Sequence, residues 1–113
     1  MTKYMISFPS GAMQFAPEEF DDVVRESHEV IREAKAAGVY VFGGGVNEEV
    51  PPVRVSADGT VTPGHYPQTG DLFGGYTIIE APTRADAESW AARIAAACRC
   101  PQELREFGYD PES

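Results

Sequence analysis

Three short stretches of the chain are apolar on both of their alternating faces, and this constrains the fold more than any other feature. From Lys3 to Phe8, Tyr4, Ile6 and Phe8 alternate with Met5 and Ser7. From Val39 to Phe42, two valines oppose Tyr40 and Phe42, and from Tyr76 to Glu80, Ile79 opposes Tyr76 and Ile78. Successive side chains of a strand point to opposite faces, so a sheet built from these runs has two apolar faces and needs cover on both. Burying each such side chain fully contributes roughly 1.5–3 kcal/mol, so an uncovered face favours association.

The chain supplies two helices as cover. Pro17, followed by Glu18, Glu19, Asp21 and Asp22, opens the first, because proline suits the first turn and carboxylates face the positive end of the helix dipole. Phe20, Val23, Val24, Ser27, Val30, Ile31 and Ala34 repeat at helical spacing until Gly38 ends the run. Thr83, with Asp86 three residues on, resembles a capping box and starts the second helix, which carries Ala87, Trp90, Ala91, Ile94 and Cys98 and stops before Pro101. Between the helices, Gly43-Gly44-Gly45 is expected to break the second strand. Asp58-Gly59 then turns a short exposed hairpin.

The predicted order is strand, helix, strand, ribbon, strand, helix, strand. This is an α+β fold: the split β-α-β of ferredoxin-like domains with an inserted β-hairpin. Right-handed crossovers put both helices on one sheet face. The other face is left for a partner, most simply a second copy in a twofold homodimer. One domain over residues 1–109 is expected, with a polar tail at 110–113.

Charge narrows the partners. Eighteen acidic against nine basic residues give a formal charge of −9, which repels a phosphate backbone, so nucleic acid is not an expected partner. No apolar run reaches the roughly 20 residues that cross a bilayer, and Met1 to Ser10 lacks the order of a signal peptide. A cytoplasmic protein that does not engage a membrane is expected. The two cysteines, Cys98 and Cys100, are too close in sequence to bridge readily and fit reduced, packed thiols. Without a second cysteine pair or a close histidine pair, no metal site is expected.

Several blocks together resemble the actinobacterial branch of the YCII-related (DGPF) family. They are Ala36-Ala37-Gly38-Val39-Tyr40-Val41, Ala57-Asp58-Gly59-Thr60-Val61-Thr62, Gly74-Gly75-Tyr76, and the stretch from Ala91 through Cys98-Arg99-Cys100-Pro101-Gln102-Glu103-Leu104-Arg105 to Phe107. The resemblance implies a dimeric α+β barrel with a cleft between helices and sheet. In some members it also implies a genomic link to extracytoplasmic-function sigma factors. The chain departs from the family's Asp-Gly-Pro-Phe signature, with Pro63-Gly64-His65-Tyr66 in its place. Gln68 and Gly70 stand where the signature continues with an acid and a lysine, which leaves Asp71 as the remaining acid. Chemistry that depends on those charges is thereby put in question here.

Against this background, the candidate catalytic groups are His28, His65 and Asp71. His28 flanks the apolar stripe of the first helix at a family histidine position, and imidazole titrates in the physiological range and is the commonest general base. A boundary histidine that only hydrogen-bonds a neighbour is the plainer account. His65 sits in a Gly/Pro/Tyr-rich loop, where binding residues concentrate but where solvated histidines are also common. Asp71 would orient an imidazole if the fold brought them together; otherwise it is a solvated loop acid.

Tyr66, Tyr76 and Arg105 are the candidate substrate-binding residues. The tyrosines line a pocket or pack in the core. Arg105 would clamp a substrate carboxylate, or pair with Glu103 or with an acid across the dimer. The triple glycine lacks the Lys-Ser/Thr of a phosphate loop and is followed by acids. Three readings result: a homodimeric enzyme with a small-molecule cleft, transferring protons by histidine without a cofactor; a non-catalytic binding or regulatory module that meets a protein partner such as a sigma-factor-linked protein; and a degenerate family member that retains only the dimer scaffold.

Overall fold

The computed structural model describes residues 1–70 and 72–113. In chain order the elements are β1 (Thr2–Pro9), α1 (Phe20–Ala36), β2 (Tyr40–Gly45), β3 (Val53–Val55), β4 (Val61–Pro63), β5 (Gly74–Ala81), α2 (Arg84–Cys98) and β6 (Glu103–Glu106). Two single-turn 3₁₀ segments, Pro17–Glu19 and Pro67–Thr69, each start at a proline. The fold is α+β: a four-stranded antiparallel sheet in the order β2-β5-β1-β6, a separate β3-β4 ribbon, and two helices.

Local sequence accounts for the element ends. Thr83 Oγ1 accepts the backbone N–H of Asp86 at 3.1 Å and caps α2, satisfying one of the free donors of its first turn. At the other end Arg99 takes the left-handed conformation, φ 61°, where glycine is usual. Its guanidinium reaches Glu26 and Glu19 and the Ala96 carbonyl, tying the end of α2 to α1. In the ribbon, Asp58 accepts the Thr60 N–H at 2.9 Å across the turn.

Burial follows the alternation. Tyr4 and Ile6 of β1 and Ile79 and Ala81 of β5 point toward the helices and form the core with Ala87 and Ala91 of α2. Trp90, Ile94 and Leu104 pack against its edge. The opposite sheet face has no helix. There Phe42 lies beside Ile78, and Ile78 beside Met5. Phe42 is 66% exposed.

Two expectations about the strands are corrected. The glycines at 43–45 do not break β2, which continues to Gly45 with Gly44 opposite Tyr76 and Gly45 opposite Gly75. The irregularity comes earlier, between Tyr40 and Phe42. The last strand is also shorter than the one the sequence leads one to expect, over Glu103 to Tyr109. It ends at Glu106 with one further backbone bond, Phe107 N–H to the Lys3 carbonyl.

Candidate functional site

Pairing register explains where the domain is hollow. Residues directly opposite one another share a sheet face, so the helix-facing side chains form rows across the strands. One row is Tyr4, Ile79 and Tyr40, and the next is Ile6, Thr77 and Gly43. The last is Phe8, Gly75 and Gly45. Side chains thin out from row to row, so the sheet floor drops away toward the Gly45 end while the helices above it continue. The helix residues facing this floor mix small side chains, Ser27, Ala34, Ala97 and Cys98, with the larger Val30, Ile31, Trp90 and Ile94.

A cavity of about 380 Å³ fills the gap. From α1 it takes Ser27, Val30, Ile31 and Ala34, and from α2 Trp90, Ile94, Ala97 and Cys98. Phe8, Tyr40, Thr77 and Ile79 rise from the sheet, and Met13 and Glu48 lie in the adjoining loops. The spacings 27, 30, 31, 34 and 90, 94, 97, 98 are single helical faces, so each helix contributes one apolar stripe. Such a concave, mainly apolar space with few polar groups is the usual form of a small-molecule site.

The floor depends on close approach. A Cβ on Gly75 would lie 2.5 Å from the Phe8 ring, and one on Gly43 would lie 2.9 Å from the Tyr40 hydroxyl. Both glycines therefore let an aromatic side chain lie flat over the sheet. The Lys35 ammonium stands 5.4 Å from the Tyr40 ring centroid and favours that ring position. The wall includes a thiol: burial pushes Cys98 above the ordinary thiol pKa, with Cys100 adding to the effect and the Arg99 charge opposing it. Cys98 is thus a neutral, apolar wall group, not a thiolate nucleophile.

Of the described residues singled out from the sequence, Tyr76 borders the cavity and the others lie elsewhere. His28 is exposed on α1, one position beyond Ser27, and does not line the cavity. His65 and Tyr76 meet around a second apolar hollow, of about 410 Å³, with Val46, Pro52, Leu72 and Phe73. There His65 Nδ1–H donates to the Tyr66 carbonyl at 2.6 Å, and the Tyr76 hydroxyl donates to the Leu72 carbonyl at 2.6 Å. Tyr66 is exposed, with the Arg54 guanidinium 5.9 Å from its ring centroid.

Arg105 faces the bare side of the sheet, pairs with Glu103 at 3.4 Å, and shares a small hollow with Tyr76. His28 and His65 do not share a cavity. Asp71 lies outside the described residues. The cavity residues Tyr40 and Thr77 were not singled out from the sequence. The signal for Thr77 was present, since the period of two that buries Ile79 also turns Thr77 to the helices. Tyr40 falls inside the expected strand, but simple alternation puts it on the same face as Phe42, whereas the irregularity between them pairs Tyr40 with Ile79 and Phe42 with Ile78 and so turns them to opposite faces.

A four-stranded antiparallel sheet under two helices defines a small α+β domain with a ligand-sized cleft between the sheet and the helices. The YCII-related domain model matches residues 3–99, and the chain belongs to that family. Among solved structures it is similar to the 5-chloro-2-hydroxyhydroquinone dehydrochlorinase of Burkholderia phenoliruptrix AC1100 in complex with 2,5-dihydroxybenzoquinone. The two are 14% identical, with 97% of each chain covered and a TM-score of 0.51. At that identity the likeness is one of fold. No curated protein matches the chain. No helix among the described residues is long and apolar enough to cross a membrane.

Proposed function

We infer that this protein binds a small, ring-sized, mainly apolar molecule in the cavity between α1, α2 and the sheet. The observation that carries this reading is the cavity itself: about 380 Å³ of space walled by Phe8, Val30, Ile31, Trp90 and Ile94. A cleft of this size, floored in part by glycines and walled by apolar side chains, offers apolar surface that a ligand of matching size removes from water. A solved protein of similar fold carries 2,5-dihydroxybenzoquinone, a molecule of suitable size.

Binding is favoured over proton transfer by histidine, because neither histidine lines the cavity. The test is thermal denaturation with and without p-xylene, for the wild type and for Val30→Trp, whose indole fills the space. Stabilisation of the wild type by the ligand, absent in Val30→Trp, supports the reading. No stabilisation of the wild type at saturating p-xylene overturns it.

The strand order β2-β5-β1-β6, antiparallel throughout, supports reading the sheet and helices as a ferredoxin-like domain with the ribbon inserted. A second inference concerns assembly. Phe42, Ile78 and Met5 form an apolar strip on the helix-free face, bordered by the Lys3–Glu80 and Arg105–Glu103 ion pairs. An apolar centre with a charged rim fits an interface between two copies of the chain.

A further inference from the structure

We propose that the hydroxyls of Tyr40 and Thr77 form a two-point polar clamp that selects a neutral ring bearing a hydroxyl or carbonyl oxygen. This rests on the cavity being the ligand site, and names the class of molecule it takes. Three observations lead to it.

The first is convergence. Thr77 stands in the row between Ile6 and Gly43, and Tyr40 begins the same strand as Gly43. The space over Gly43 is taken by the tyrosine hydroxyl, which lies 2.9 Å from the point where a Cβ would stand. Thr77 Oγ1 is 3.5 Å from that point. The two oxygens are therefore close enough for one ligand oxygen between them to reach both.

The second is that both hydroxyls are uncommitted. Of the other hydroxyl-bearing residues around the cavity, Ser27 donates to the Val24 carbonyl at 3.0 Å and Tyr76 to the Leu72 carbonyl at 2.6 Å, while Ser10, in the turn after β1, makes no side-chain bond among the described residues. Among the described residues, Tyr40 Oη and Thr77 Oγ1 have no such partner, and both line the cavity. A hydroxyl pair in an apolar space gains more from a ligand oxygen than the same pair in water would. It can donate to a carbonyl, or donate and accept with a phenol.

The third is charge. The carboxylate among the described lining residues is that of Glu48, and the lining has no Lys, Arg or His. An anionic ring acid would meet the like charge of Glu48 with no lining cation to offset it, since the Lys35 ammonium is held against the Tyr40 ring, so a neutral oxygen substituent is favoured. Arg105, the side chain that would suit a carboxylate, lines a different hollow on the helix-free side of the sheet.

The test compares p-cresol with its near-isostere p-xylene by calorimetric titration against the wild type, Tyr40→Phe and Thr77→Val. Both substitutions keep shape and remove one hydroxyl. Each is expected to weaken p-cresol binding by about fivefold, the worth of one neutral hydrogen bond, while p-xylene affinity stays within twofold and reports an intact cavity. Gly43→Ala, whose Cβ displaces the Tyr40 hydroxyl, should reproduce the loss seen in Tyr40→Phe. If both probes bind and p-cresol affinity is unchanged in all three variants, the clamp is overturned and the cavity reading stands. If neither probe binds the wild type, both fail together.

Discussion

At the scale of single residues, what is missing matters as much as what is present. Gly75 leaves room for Phe8 to lie across the sheet. An alanine there puts a methyl group 2.5 Å from the ring, so Phe8 must swing into the cavity. Gly75→Ala is expected to lower stability by about 1–3 kcal/mol and to weaken ligand binding as well. Thermal melts with and without p-xylene measure both effects.

The thiols make a pH prediction. Burial raises the pKa of both Cys98 and Cys100, with the Gln102 hydrogen bond partly offsetting the shift at Cys100. Below the ordinary thiol pKa both groups are protonated in folded and unfolded chains, so their contribution is fully present. Above it, the unfolded chain ionises first, and stability falls as pH rises through the folded values. Stability should therefore decline on the alkaline side, and Cys98→Ala/Cys100→Ala should flatten that decline. An alkaline limb identical in wild type and double variant would remove the thiols from the explanation.

At the scale of elements, the junction of α2 and α1 depends on one residue with two roles. Arg99 occupies a left-handed position that penalises any side chain, yet its guanidinium binds Glu26, Glu19 and two terminal carbonyls of α2. Arg99→Ala loses the contacts and keeps the strain, whereas Arg99→Gly loses both. Glycine should be the milder change, by roughly 1 kcal/mol, in denaturant melts. The Asp58 carboxyl, held below its ordinary range by the Thr60 hydrogen bonds, makes a smaller contribution to the ribbon turn. That contribution is lost as pH falls through its folded value.

The elements themselves were largely legible, because alternation, caps and proline breaks are local signals. Thr83 and Asp86 marked the start of α2 correctly, and the Asp58-Gly59 turn is where the ribbon reverses. What could not be read locally was the behaviour of Gly43–Gly45. Glycine is poor in an isolated strand, but here pairing with β5 holds the backbone extended, and the missing side chains open the cavity. Register across three strands decides which residues share a row, and a single strand does not specify it. For the same reason the sequence points to His28, in a family position, whereas the cavity takes Ser27 and Ile31 of the same helix.

At the scale of the whole molecule, the sheet has one face closed by helices around a hollow and one face open. If the open face joins two copies, the wild type scatters light as a dimer at micromolar concentration. Phe42→Asp, which sets a charge in the apolar strip, then yields a monomer with its helical circular dichroism intact. A wild-type monomer at that concentration contradicts the assembly. The hollow is a separate matter, since its lining comes from a single copy. Monomeric Phe42→Asp should therefore still bind p-xylene with an affinity within a few-fold of wild type.

The most direct measurement of the central claim is a titration of the ¹⁵N-labelled protein with p-xylene, followed by amide chemical shifts. The account predicts saturable changes concentrated at Val30, Ile31, Thr77, Ile94 and Cys98, with Met5, Arg105 and the β3-β4 ribbon unmoved. Absence of change at saturating ligand, or changes confined to the helix-free face, would contradict it.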